Sequence, residues 1–343
     1  FYFSMDRLVL LDHEKIQNLI SKRKGEIKFG ENIKLLASIT NIYESIKNLD
    51  VKYVVFGLPE DIGVFSNLGK TGTVGAWEAT IKILLNTQNN QFTHANDVLI
   101  LGHLNFSEEL SILSNFDQNN DKDLQKARKL TEIIDKNVSE LVHTIVKAGK
   151  TPIIIGGGHN NAYGNIKGTS LALNKSINAI NFDAHTDFRA LEGRHSGNGF
   201  SYAAYEGFLD KYFVFGLHEN YTSQEILDTF HSKKSLAYNT YEAIEVRKEL
   251  KFKDEMQRAL KHISKKPFGI EIDCDAIKNI PSSARTPSGF SVKRTRSFLN
   301  FFASHKKASY LHICEAAPTP ETETQVGKLI TYLITDFIRA NGN

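Results

Sequence analysis

The chain has 343 residues, 41% hydrophobic and 24% charged, which is an ordinary globular balance and enough length for one large domain or two smaller ones. Its formal net charge of +3 gives no argument for nucleic acid or for a membrane surface as partner. No apolar run approaches the roughly 18 residues of a membrane span. The two cysteines, Cys274 and Cys314, sit in apolar runs as buried small hydrophobes and form no disulfide framework, so a reducing cytoplasm is the expected location.

Residues 1–4, ahead of Met5, read as an expression remnant, which leaves 5–343 as a single domain. Short β-rich apolar runs follow at 51–58, 97–102, 151–155, 177–182, 212–217, 267–272 and 309–314. Helical patterns lie between them, at 122–147, 223–230, 253–262, 292–305 and 322–339. In the first of these, Leu130, Ile133, Ile134, Val138, Leu141, Val142 and Val146 recur at roughly helical period. The polar stretch 107–121 reads as a surface loop with a weak helix start. Strand and helix alternate without a linker, repeat or low-complexity tract. That rhythm predicts an α/β fold, a three-layer α/β/α sandwich around a mostly parallel sheet. Ligands bind beyond the carboxyl ends of such strands, and there the chemically loaded residues fall.

The run at 151–155 enters Gly156-Gly157-Gly158-His159, where glycines allow a sharp turn that presents His159. A phosphate cradle is the other use of such a turn, but neither G-x-G-x-x-G nor Gly-Lys-Ser/Thr is present. The run at 177–182 enters Asp183-Ala184-His185-Thr186-Asp187. If the strand continues, a spacing of two sends Asp183, His185 and Asp187 to one face. The run at 267–272 ends in Asp273-Cys274-Asp275, again two carboxylates on one face with Cys274 turned away. Four carboxylates and two imidazoles are too many ligands for one tetrahedral zinc and lack a thiolate. They suit two divalent ions, manganese better than magnesium given the histidines. Two such ions offset four buried negative charges and, bridging a water, lower its pKa for attack on a trigonal carbon. Glu315 ends the last strand, as a pocket acid or a plain strand-end glutamate. The polar, Gly-rich loop 189–200, with Arg189, Arg194, His195, Ser196, Gly197 and Asn198, is placed to touch a substrate, a solvated loop being the alternative.

Together these motifs resemble the ureohydrolases: arginase, agmatinase, formimidoylglutamase and relatives. The likeness runs from about Gly57 to the last helix and includes Gly157-Gly158-His159, Asp183–Asp187, Asp273-Cys274-Asp275 and Glu315-Ala316-Ala317-Pro318. Gly57-Leu58-Pro59, Gly63-Val64 and the stretch from Asn67 through Gly72 resemble the family's N-terminal active-site loop. The resemblance implies an α/β/α fold with two Mn2+, Asp183 and Asp273 bridging them. His159 and Asp187 complete one ion, His185 and Asp275 the other. It also implies a metal-bridging hydroxide that Asp187 hydrogen-bonds, Glu315 in the substrate pocket, and a homo-oligomer, trimer or hexamer.

Phe188-Arg189 and Ser196-Gly197-Asn198-Gly199-Phe200 are closer to formimidoylglutamase than to arginase. N-formimidoyl-L-glutamate is therefore the expected substrate. Asn67, Arg189, Ser196, Gly197 and Asn198 are its expected contacts, Arg189 either binding a carboxylate or pairing with a scaffold acid. The family's proton-shuttle histidine falls on Ser196, leaving neighbouring His195 as the substitute. Residues 277–281 depart from the family's Asp-Pro after the third motif. The alternatives are a urea-releasing arginase or guanidino-acid hydrolase, and a metal-binding member without activity. A zinc deacetylase is more distant, since no adjacent His-His pair is present.

Overall fold

The computed structural model describes residues 6–342, so the expectation for residues 1–4 lies outside the described chain. Among the described residues, nine strands form one sheet: β1 (Leu8–Leu10), β2 (Tyr53–Gly57), β3 (Val98–Leu104), β4 (Thr151–Ile155), β5 (Ile177–Phe182), β6 (Leu209–Leu217), β7 (Leu236–Thr240), β8 (Phe268–Asp273) and β9 (Ala308–Cys314). Their order across the sheet is β1-β3-β2-β4-β9-β8-β5-β6-β7. Every strand pair is parallel except β1 with β3.

Helices cover both faces, and strand alternation explains why. Val54 and Phe56 point into one apolar core, Tyr53 and Val55 into the other. The first core is closed by the helices Asp121–Lys147, Asn161–Leu173 and Gly199–Tyr205. The second is closed by Ala76–Leu84, Phe252–Ile263, Val292–Ala303 and Glu323–Gly342. This is the three-layer α/β/α sandwich expected. The stretch 107–121 is more ordered than predicted: a full helix, Ser107–Leu113, fills its first half.

The central strands set the site. Pairing aligns Ile155, Ile313, Ile272 and Phe182 in one row across β4-β9-β8-β5. One residue beyond that row stand Gly156, Cys314, Asp273 and Asp183. The chain passes directly from β4 to β5, and β8 and β9 later fill the gap between them. The crevice at their carboxyl ends is where such sheets bind ligands.

Candidate metal centre

The strands end within one residue of where the apolar runs end and do not continue through the motifs. β5 ends at Phe182, so Asp183, His185 and Asp187 do not alternate along an extended strand. The chain turns, and Asp187 adopts a left-handed φ of 44°. Likewise β8 ends at Asp273, and Cys274–Ala276 form a 3-10 turn. Side-chain oxygens of Asp183 and Asp273 fix these turns by accepting the backbone N–H groups of His185 and Asp275, each at 2.7 Å. The carboxylates therefore converge through turns.

The six residues still meet. His159 Nδ1 lies 2.7 Å from Asp187 Oδ2, 3.0 Å from Asp273 Oδ2 and 3.3 Å from Asp183 Oδ2. One ligand atom from each of these four lies within 4.8 Å of the others, the arrangement that a single cation fills. Asp183 turns its other oxygen to His185 Nδ1 at 3.4 Å, and Asp275 Oδ2 lies 3.9 Å from that nitrogen. Asp183 thus faces both imidazoles with different oxygens, as a bridging ligand does. His159, Cys314 and His312 form another close group, but both nitrogens of His312 are already engaged, by Glu271 at 2.6 Å and by the Gly156 carbonyl at 3.2 Å.

Electrostatics favour a cation here. Burial, then Asp183 and Asp275, push Asp273 well above the usual carboxylate range. Burial, then Asp183, raises Asp187. Asp183 itself is lowered: against burial, His159 and His185 hold it in the ionised form. Such a cluster is costly unless a positive charge sits within it. The donors are oxygens and imidazole nitrogens without thiolate, which fits manganese.

The His159 turn rests on a residue that sequence reasoning passed over. Glu60 is fully buried, and its Oε1 accepts from Asn161 Nδ2 at 2.6 Å and from Gly158 N at 3.1 Å. Gly156 and Gly157 take positive φ, and a Cβ on Gly157 would stand 2.3 Å from Asn161 Nδ2. Glu60 directly follows the Gly57-Leu58-Pro59 motif, which was the signal available. Beneath His159, Glu271 binds Tyr310 Oη and His312 Nδ1, each at 2.6 Å.

Four of the six candidate ligands, His185, Asp187, Asp273 and Asp275, border a cavity of about 400 Å³, also lined by Asn67, Arg189, Ser196, Gly197 and Glu315. Glu315 has a φ of 59°, backbone strain of the kind found at functional sites. Its Oε1 accepts the His159 N–H at 2.6 Å, while its buried Oε2 has no hydrogen-bond partner. Burial, then Asp275, pushes this carboxyl up to about 8. Arg189 lines the cavity but is already engaged by Asn67 Oδ1 at 2.8 Å and Glu192 Oε1 at 2.9 Å.

His159 and Asp183 sit just behind the cavity wall, and two further predicted site residues, His195 and Asn198, do not line it either. His195 is fully buried; its Nδ1 accepts the Gly197 N–H at 3.1 Å and its Nε2 faces Glu192 Oε1 at 3.1 Å. Both ring nitrogens are used in shaping the loop, which corrects the expectation that His195 replaces the shuttle histidine. Asn198 also works inside the loop: its oxygen accepts from Arg194 Nη1 and its amide donates to the carbonyls of Ala190 and Gly193. A larger cavity of about 720 Å³ lies between the helices Asp121–Lys147 and Asn161–Leu173, away from the metal ligands.

The sheet, its switch point and the convergent carboxylates and imidazoles define an α/β/α protein with a candidate metal centre at the carboxyl ends of its strands. The arginase-family profile matches residues 51–338, and the chain belongs to the arginase family, hydrolases of C–N bonds in amidines. A formimidoylglutamase of Streptococcus pyogenes is 24% identical over 291 residues, covering 82% of each chain. In fold, the chain is similar to the formimidoylglutamase of Bacillus subtilis, with a TM-score of 0.73, 16% identity and 93% of each chain covered. It is also similar to Trypanosoma cruzi formiminoglutamase solved with Mn2+, with a TM-score of 0.71, 17% identity, and 92% of this chain and 98% of that one covered. Among the described residues, no helix is long and apolar enough to cross a membrane.

Proposed function

We propose that this chain hydrolyses N-formimidoyl-L-glutamate to formamide and L-glutamate at a centre holding two Mn2+. The observation that supports this most is the meeting of His159 Nδ1 with three carboxylate oxygens beside the unpaired Oε2 of Glu315. His159, Asp183, Asp187 and Asp273 would hold one ion, and His185, Asp183, Asp273 and Asp275 the other. When bound, the ions supply a water of lowered pKa beside the trigonal carbon.

The chain's own groups do the rest. Glu315 Oε2 pairs with the cationic amidine nitrogens, a charge-assisted contact that orients the carbon. Asp187 lines the cavity and accepts a hydrogen bond from the attacking oxygen. Its left-handed backbone aims the carboxylate back toward His159 rather than along the strand. Arg189, steadied by Asn67 and Glu192, offers a cation to a substrate carboxylate at one wall. Ser196 and Gly197 line the same wall. A cytoplasmic location and a trimeric or hexameric assembly extend this reading on the family resemblance.

The test is turnover of formimidoylglutamate, arginine, agmatine and guanidinobutyrate by manganese-loaded protein. Release of formamide from the first, well above urea from the others, is the expected result. Urea from arginine at the higher rate overturns the substrate, and no turnover of any of the four overturns catalysis.

A further inference from the structure

The cavity over the metal ligands adjoins a second one of about 480 Å³. The two share His185, Tyr221, Ser283 and Ala284 on their walls. Among the described residues, no aspartate or glutamate lines the second cavity, but Lys70 and Arg285 both do. Among the described residues, neither cation has an ion pair or side-chain hydrogen bond. His218, 4% exposed, also lines it, and its buried Nε2 has no partner. Arg189 is absent from this wall and is already held by Asn67 and Glu192.

Both cations sit on loops that are tied down. On the Lys70 side, Gly72 N donates to Asp61 Oδ2 at 2.9 Å, and Gln118 Nε2 donates to the Gly69 carbonyl at 3.0 Å. On the other side, Ala284 N donates to Asp275 Oδ1 at 3.0 Å and Ser283 Oγ to Asp275 Oδ2 at 3.2 Å. Arg285 therefore directly follows a residue bonded to Asp275. It lies four residues beyond the stretch 277–281 that departs from the family pattern. Two unpaired cations around a concave wall without acids focus positive potential there, and a buried imidazole nitrogen without a partner is a standing cost that a ligand relieves.

We propose that this side cavity is an anion subsite, in which Lys70, Arg285 and His218 receive the substrate carboxylate farther from the amidine group. This rests on the hydrolase reading for what occupies the neighbouring cavity, where Glu315 anchors the amidine. It assigns the two carboxylates of an acidic amidine to different walls: Arg189 takes the near one, Lys70 and Arg285 the far one. Selection for a dicarboxylate substrate over arginine or agmatine follows, because a cationic or neutral tail meets only positive charge there.

The test uses the manganese-loaded full chain with Lys70→Ala, Arg285→Ala and the double variant, all on exposed loop positions. Glutarate and butyrate are the calorimetric probes, and steady-state kinetics on formimidoylglutamate run alongside. Each single variant is expected to weaken glutarate by about five- to tenfold while leaving butyrate in place, and added salt to weaken glutarate in the parent far more than in the double variant. KM for formimidoylglutamate rises in parallel, with the loss falling on KM rather than kcat. Glutarate binding that is undetectable in the parent, or equal in parent and double variant, overturns the subsite. If the parent binds glutarate through Lys70 and Arg285 yet releases no formamide, the substrate reading fails and the subsite stands. If it releases formamide and the double variant has the parent's KM, the subsite fails and the substrate reading stands.

Discussion

At the scale of single residues, Asp183 carries the sharpest prediction. One of its oxygens faces His159 and the other His185, at 3.3 and 3.4 Å, which places it between the two imidazoles. Asp183→Ala is expected to lose both metals together, read as manganese per chain by elemental analysis after dialysis. A content that stays near two refutes the bridging role. His195 carries the second prediction. Burial, then Arg189, Arg128 and Arg194, push its imidazole from 6.5 down to about 2, although Glu192 touches Nε2. Between those values the unfolded chain binds a proton that the folded chain refuses. Stability from this group is complete above pH 6.5 and falls on acidification, by at most about 1.4 kcal/mol per pH unit. His195→Asn should flatten the decline between pH 6 and 4 in urea unfolding, and an unchanged slope refutes it. The residue types at the centre were legible because carboxylates and imidazoles cluster for few other reasons. Their geometry was not: a spacing of two suggests a strand face, whereas the side chains of Asp183 and Asp273 cap turns that end the strands.

Elements read from periodicity alone fared by how strongly packing, rather than propensity, holds them. The helix Asp121–Lys147 is long, is capped by the Asn120 side chain and shows its apolar stripe plainly. The helix Asn161–Leu173 was hidden because Asn, Thr, Ser and two glycines dilute the pattern. Those glycines are the reason it exists where it does. A Cβ on Gly168 would stand 2.5 Å from the Ser139 carbonyl, and one on Gly164 would stand 2.8 Å from Val138. The two helices approach too closely for side chains at these points, so tertiary contact compensates for poor propensity. Gly168→Val should force them apart and cost about 1–3 kcal/mol, seen as a lower urea midpoint. It should also disturb the site, because the same helix begins at Asn161, which binds Glu60 behind His159. Wild-type stability in Gly168→Val would show that the helices have slack there. β1 and β7 were missed for a different reason. β1 has only three residues, and β7, Leu236–Thr240 at the other edge of the sheet, is half-buried and ends in Asn239 and Thr240, so neither presents an apolar run.

For the whole molecule, the centre ties together strands that the sequence keeps far apart. Its candidate ligands come from the ends of β4, β5 and β8, and Glu315 from the end of β9, neighbours only once the entire β4-β9-β8-β5 block has formed. The unfolded chain therefore has no preformed site, and metal affinity becomes folding stability. Free Mn2+ at about a hundred times its dissociation constant adds about 2.7 kcal/mol per site. For a domain of this size, that amounts to a rise in Tm of the order of 5 °C. The four clustered carboxylates sharpen the effect, because without a cation Asp273, Asp187 and Asp275 are all pushed toward their protonated forms. Removing metal with a chelator should accordingly lower Tm, most at neutral and alkaline pH, where these carboxylates must ionise, and less near pH 5, where protons can stand in for the cation. Thermal unfolding with manganese and with chelator, in wild type and in Asp183→Ala, checks this. Wild type should show the manganese shift, Asp183→Ala should lose it, and His195→Asn, whose side chain lies outside the cavity, should keep it. A wild-type Tm indifferent to manganese at every pH would mean that the carboxylate cluster is held by the fold alone.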